Sequence, residues 1–136
     1  MVHAADPSPA RSLAVTAALL LAPIGSGCGS PESGDARLVT VPGGDAVRGA
    51  RLLSQYQCGS CHAIPDVAGS QGRVGPTLAG LHRRSYLAGQ VPNTPALLVR
   101  WLQAPQALVP GTTMPDMGVP EADARDMAAH LLRTPR

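Results

Sequence analysis

The chain has 136 residues, a formal net charge of +2, no Phe, two Tyr and one Trp. That length sustains one small domain, and so slight a charge excludes a nucleic-acid surface as its organising feature. With so few rings, a domain of this size also lacks the apolar mass that normally fills much of a core.

Residues 1–27 read as an export segment. Arg11 supplies charge, Leu13 to Ile24 form an apolar run of 12 residues interrupted by Pro23, and Gly25, Ser26 and Gly27 precede Cys28. The run is shorter than the roughly 20 residues a helix needs to span a bilayer. Cys28 is the odd cysteine of three, and its place after small residues resembles a bacterial lipobox, whose cysteine becomes an acylated N-terminus. Such a lipid holds a domain to a membrane without spanning it. The competing reading is ordinary cleavage nearby, leaving Cys28 as a free thiol. Residues 28–43, rich in Gly, Ser and Pro, are expected to be a flexible linker, extended over 38–41.

The folded part is expected over 44–133, with 134–136 a tail. Asp45 is the predicted N-cap of a first helix that turns Val47, Ala50, Leu53 and Tyr56 inward. Gly49 costs about 1 kcal/mol relative to Ala within a helix, so its presence marks a close crossing. This helix delivers Cys58-Gly59-Ser60-Cys61-His62, a C-x-x-C-H run. Its spacing lets two sulfurs reach the vinyl groups along one porphyrin edge as thioethers, and the next side chain then points at the iron. The run therefore assigns one covalent haem c to Cys58 and Cys61, with His62 as proximal ligand, and the haem supplies the missing apolar mass. Two other readings compete. A redox dithiol wants a strand before the pair and a helix after it, and no β-α-β pattern precedes Cys58. A zinc site wants two further ligands at similar spacing, and no second Cys pair follows.

Residues 63–80 carry Pro65, Gly69, Gly72, Gly75 and Pro76 and are expected to form a loop. A second helix is predicted from Thr94, as N-cap, and Pro95, with Leu97, Leu98, Trp101 and Leu102 on one side. Haem propionates need donors where they are partly buried; Tyr86, Asn93, Trp101 and one arginine are the candidates. The plainer reading makes Trp101 core and the arginines a solvated face. Met114 lies in a loop stiffened by Pro110 and Pro115. A last helix is predicted from Pro120, with Glu121 and Asp123 complementing its dipole and Ala124, Met127, Ala128, Leu131 and Leu132 forming its inner stripe. It should pack on the first helix near Gly49. The lone histidines His82 and His130 are expected at the surface.

In this order, the stretch 44–62, then Gly75-Pro76-Thr77-Leu78, then Pro110-Gly111-Thr112-Thr113-Met114-Pro115 resembles the class I c-type cytochromes. The likeness covers 44–133 and is strongest to the small domains associated with bacterial haem-copper oxidases. It implies an all-α cytochrome c fold, three to four helices wrapped around one haem c, with the first and last helices crossing. It also implies that the Pro76 carbonyl accepts a hydrogen bond from the proximal imidazole. Met114 is implied as sixth ligand, with Met117 as the alternative and Met127 as core, and the propionate donors are implied in the Tyr86–Trp101 region. A thioether ligand favours ferrous iron and raises the potential.

Two axial ligands close the iron to substrate, so the expected function is one-electron transfer rather than catalysis. The expected setting is a respiratory chain on the periplasmic side of the cytoplasmic membrane, between a donor such as a quinol-oxidising complex and an acceptor such as a haem-copper oxidase. From Val67 to Pro115 the charged residues are all arginines, Arg73, Arg83, Arg84 and Arg100, whereas 116–126 is acidic on balance. Such an asymmetry steers docking to an acidic partner. The rival readings are a haem-based gas sensor or small peroxidase with a displaceable distal ligand, and a tethered subunit confined to one respiratory complex.

Overall fold

The computed structural model describes residues 39–133; the export segment, Cys28, most of the linker and the 134–136 tail lie outside them. Four helices carry the domain: α1 (Ala46–Gln55), α2 (Pro95–Gln103), the short α3 (Pro105–Leu108) and α4 (Glu121–Arg133). A two-stranded antiparallel ladder, β1 (Tyr86–Leu87) with β2 (Val91–Pro92), sits before α2.

α1 and α2 begin as their sequences dictate. The Asp45 side chain accepts hydrogen bonds from Val47 N (2.8 Å) and Arg48 N (3.0 Å), satisfying two N–H groups that have no partner within the helix. Thr94 Oγ1 accepts from Leu97 N at 3.3 Å, with Pro95 in the first turn.

The frame is the crossing of α1 and α4. A Cβ on Gly49 would lie 2.0 Å from the Asp126 carbonyl oxygen, so only glycine lets the two backbones meet there. This contact sets the rotation of α1 and corrects the expected inner face. Gly49, Leu52 and Leu53 are buried, while Val47 is 67% exposed. Val47 lies two residues, some 200°, around the helix from Gly49. The inner stripe of α4 is as expected, with Ala124, Met127, Ala128, Leu131 and Leu132 all buried.

Polar groups close the edge of this crossing. Asp126, although buried, accepts from Asp45 N at 2.8 Å and pairs with Arg48, which also pairs with Asp123. Tyr56 donates to Asp123 at 3.0 Å, and burial followed by this bond raises its phenol above the ordinary range. His130 is half-buried, with Nδ1 3.2 Å from the Ala46 carbonyl, because α4 crosses the start of α1 there; it is not the surface residue expected. The packed unit also reaches further back than Gly44. Val41 is buried in the core and Val39 packs against it.

Candidate functional site

Tyr56 caps the C-terminus of α1, and Gln57 takes a left-handed φ of 56°, which turns the chain into a 3₁₀ turn over Cys58–Ser60. The turn is closed by His62 N donating to the Cys58 carbonyl at 3.0 Å. Both cysteines are half-buried and neither is in a disulfide. Burial pushes the Cys58 thiol above its ordinary range, opposite to the activated thiolate that a dithiol oxidoreductase needs. Among the described residues no group of three or more His, Cys, Asp or Glu side chains is placed to hold a metal ion.

The loop after the motif wraps back over it. Gly72 N donates to the Gly59 carbonyl at 3.0 Å, Gly75 N to the Cys61 carbonyl at 2.8 Å and Leu78 N to the Ala63 carbonyl at 2.9 Å. These bonds bring Pro76 beside the imidazole: His62 Nδ1 lies 2.7 Å from the Pro76 carbonyl oxygen. A carbonyl only accepts, so Nδ1 carries the proton and Nε2 keeps its lone pair for a metal. Gly75 makes the approach possible, since a Cβ there would lie 2.2 Å from His62 Cε1. Two free thiols, an oriented imidazole with an available Nε2 and a core short of rings together fit a covalently held haem.

On the other side of the sequence, Val109–Thr112 form a turn in which Thr112 N donates to the Val109 carbonyl at 3.1 Å and Gly111 takes φ 85°, as the Pro110-Gly111 pair demands. The turn leads to Met114, which is half-buried and packed against the core. Met117 is 44% exposed and Met127 is fully buried in α4. The three methionines thus occupy three different environments.

The four candidate propionate donors separate. Trp101 is 8% exposed. Tyr86 is 55% exposed on β1. Arg84 donates to the Thr77 carbonyl at 2.5 Å, spanning the loop after the motif. Asn93 is committed elsewhere: its amide donates to the Leu81 carbonyl at 2.7 Å and the Arg84 carbonyl at 2.9 Å. An amide has two hydrogens, so as placed here Asn93 ties the 81–84 turn and has no donor to spare for a propionate. Nor is His82 a surface residue; it is half-buried, with Nδ1 buried in that turn.

Sequence reasoning missed Gln106. Its Nε2 donates to the Met114 carbonyl at 2.7 Å, and a lone polar residue eight positions away carries no signal of such a bond.

The family model described as Cytochrome c matches residues 46–135. The chain is 35% identical over 102 residues to a protein named cytochrome c-type cyt cy from Rhodobacter capsulatus, covering 68% of this chain and 51% of that protein, so it spans about half that relative's length. It is 32% identical over 105 residues to cytochrome c2 of Rhodopila globiformis, covering 68% of this chain and 95% of that one. The crystal structure of cytochrome c2 from Rhodobacter sphaeroides superposes with a TM-score of 0.51 over 67% of this chain and 96% of that one, at 22% identity, which bears on the fold alone. The chain belongs to the cytochrome c family: an electron-transfer protein that binds one haem c covalently.

Proposed function

We propose that this protein is a respiratory one-electron carrier whose haem c is attached through Cys58 and Cys61 and ligated by His62 and Met114. The observation that carries this reading is the 2.7 Å approach of His62 Nδ1 to the Pro76 carbonyl, which orients the imidazole and leaves Nε2 available. When bound, the haem supplies an iron that changes charge by one electron. The residues supply the rest. The carbonyl partner raises the donor strength of the imidazole, and the half-buried Met114 offers a soft thioether from a turn fixed by Pro110 and Gly111. Trp101, Tyr86 and one of the arginines are the propionate donors that this reading retains.

The partners follow from charge. Arg73, Arg83 and Arg100 are exposed, and no acid interrupts the sequence from 67 to 115. They suit an acidic site on an acceptor such as a haem-copper oxidase, with a quinol-oxidising complex as donor. Among the described residues no helix is long and apolar enough to cross a membrane. The proposed location is the periplasmic face of the cytoplasmic membrane, with acylated Cys28 as anchor.

The test is the ferric near-infrared band that iron–methionine ligation gives. Its presence, and its loss in Met114→Ala, is the expected result. A protein without that band whose reduced form readily binds carbon monoxide would instead be a sensor or peroxidase. The anchor is tested separately by mass spectrometry of the mature N-terminus, where an unmodified Cys28 removes it.

A further inference from the structure

The distal loop is pinned by burial at its start and clamped at its centre. Pro105 is fully buried and Val109 is 7% exposed. Between them, α3 places its second residue, Gln106, so that Nε2 donates to the Met114 carbonyl at 2.7 Å. The other bond at this point is longer, with Met114 N 3.4 Å from Thr112 Oγ1. Met114 is thus held through its carbonyl by a side chain and only loosely through its N–H.

We propose that Gln106 is a positioning residue for Met114, its amide biasing the distal loop toward the arrangement in which the thioether stays packed against the core. The inference rests on Met114 being the sixth ligand. Motion that carries the Met114 backbone outward breaks the Gln106 bond, so the bond stabilises the closed arrangement and contributes nothing to the open one. A neutral hydrogen bond of this kind shifts such an equilibrium by about 3- to 10-fold. The bond needs a donor. A glutamate of the same shape offers only acceptors and repels the carbonyl, whereas a lysine reaches and donates.

The experiment titrates the ferric holo-protein with imidazole, which competes with Met114, and follows the near-infrared band in the parent, Gln106→Glu, Gln106→Lys and Met114→Ala. Gln106→Glu should raise the apparent imidazole affinity by about 3- to 10-fold, since that affinity scales with the open fraction, and Gln106→Lys should return it toward the parent value. The denaturation midpoints separate this from a general loss of fold. A lowered midpoint in Gln106→Glu with an unchanged imidazole affinity overturns the clamp, as does an affinity raised equally in Gln106→Lys. A band that survives in Met114→Ala overturns the ligand reading itself, a different failure.

Discussion

His62 Nδ1 and the Pro76 carbonyl oxygen are 2.7 Å apart, and the residue before that proline is the glycine whose missing Cβ makes room for the imidazole. Gly75→Ala must move either the ring or the loop. It is expected to cost about 1–3 kcal/mol as overpacking and to lower the haem absorbance per polypeptide. Denaturant unfolding of the holo-protein checks the first effect, and an unchanged midpoint would mean that the loop yields freely.

At the helix crossing two effects of opposite sign compete. Gly49→Ala gains about 1 kcal/mol in helix propensity but puts a Cβ 2.0 Å from the Asp126 carbonyl, a backbone atom that cannot swing aside. The steric term should win, so the variant is less stable despite its better helix former. A raised midpoint would show that the helices separate at little cost.

Asp126 should matter more than an ordinary surface acid. It is 5% exposed and serves both Asp45 N and Arg48. Asp126→Ala strands a backbone donor and is expected to cost about 1–3 kcal/mol. In double-mutant cycles the Arg48–Asp126 coupling should exceed that of the exposed Arg125–Glu121 pair, for which about 0.3–0.5 kcal/mol is usual. Equal couplings would reduce the buried carboxylate to a bystander.

Acid should weaken the start of α1. The N–H of Arg48, and then that of Val47, hold the Asp45 carboxyl below its ordinary range. A folded-state value below the unfolded one means that the stabilisation is present above the ordinary value of 3.8 and is lost as pH falls through the folded value. Melting profiles should therefore steepen in their decline below about pH 4, and Asp45→Asn, which still caps but does not ionise, should be flatter in that window. Identical slopes would place the acid sensitivity elsewhere.

The hairpin tip carries removable strain. Ala88 has φ 46° and Gly89 φ 73°, with Gln90 N donating to the Leu87 carbonyl at 3.1 Å. Both central residues of such a turn favour Gly or Asn. Ala88→Gly or Ala88→Asn should raise stability by up to about 1 kcal/mol, read as an upward shift in thermal midpoint; a fall would mean that the Ala88 methyl makes a compensating contact.

Much of the site was legible because its chemistry is local. The C-x-x-C-H run, the caps Asp45 and Thr94, the loop stiffened by Pro110 and Pro115 and the α4 stripe each follow from residues a few positions apart, whose spacing and dihedral preferences are intrinsic. The face of α1 was not. Val47 fits an inward stripe as well as Leu52 does, and only the approach of Gly49 to Asp126, 77 positions away, chooses between them.

Asn93 and Gln106 show the same limit from the polar side. Their residue types announce a donor but not its destination, and an amide can serve a propionate, a turn or a loop equally well. Tertiary packing decided that Asn93 ties the 81–84 turn and that Gln106 reaches Met114. The sequence by itself determined the C-x-x-C-H run and where α1, α2 and α4 start. The tertiary structure decided which way α1 faces, where the Asn93 amide is spent and what holds the Met114 loop, because those outcomes depend on distances between remote segments that no local pattern encodes.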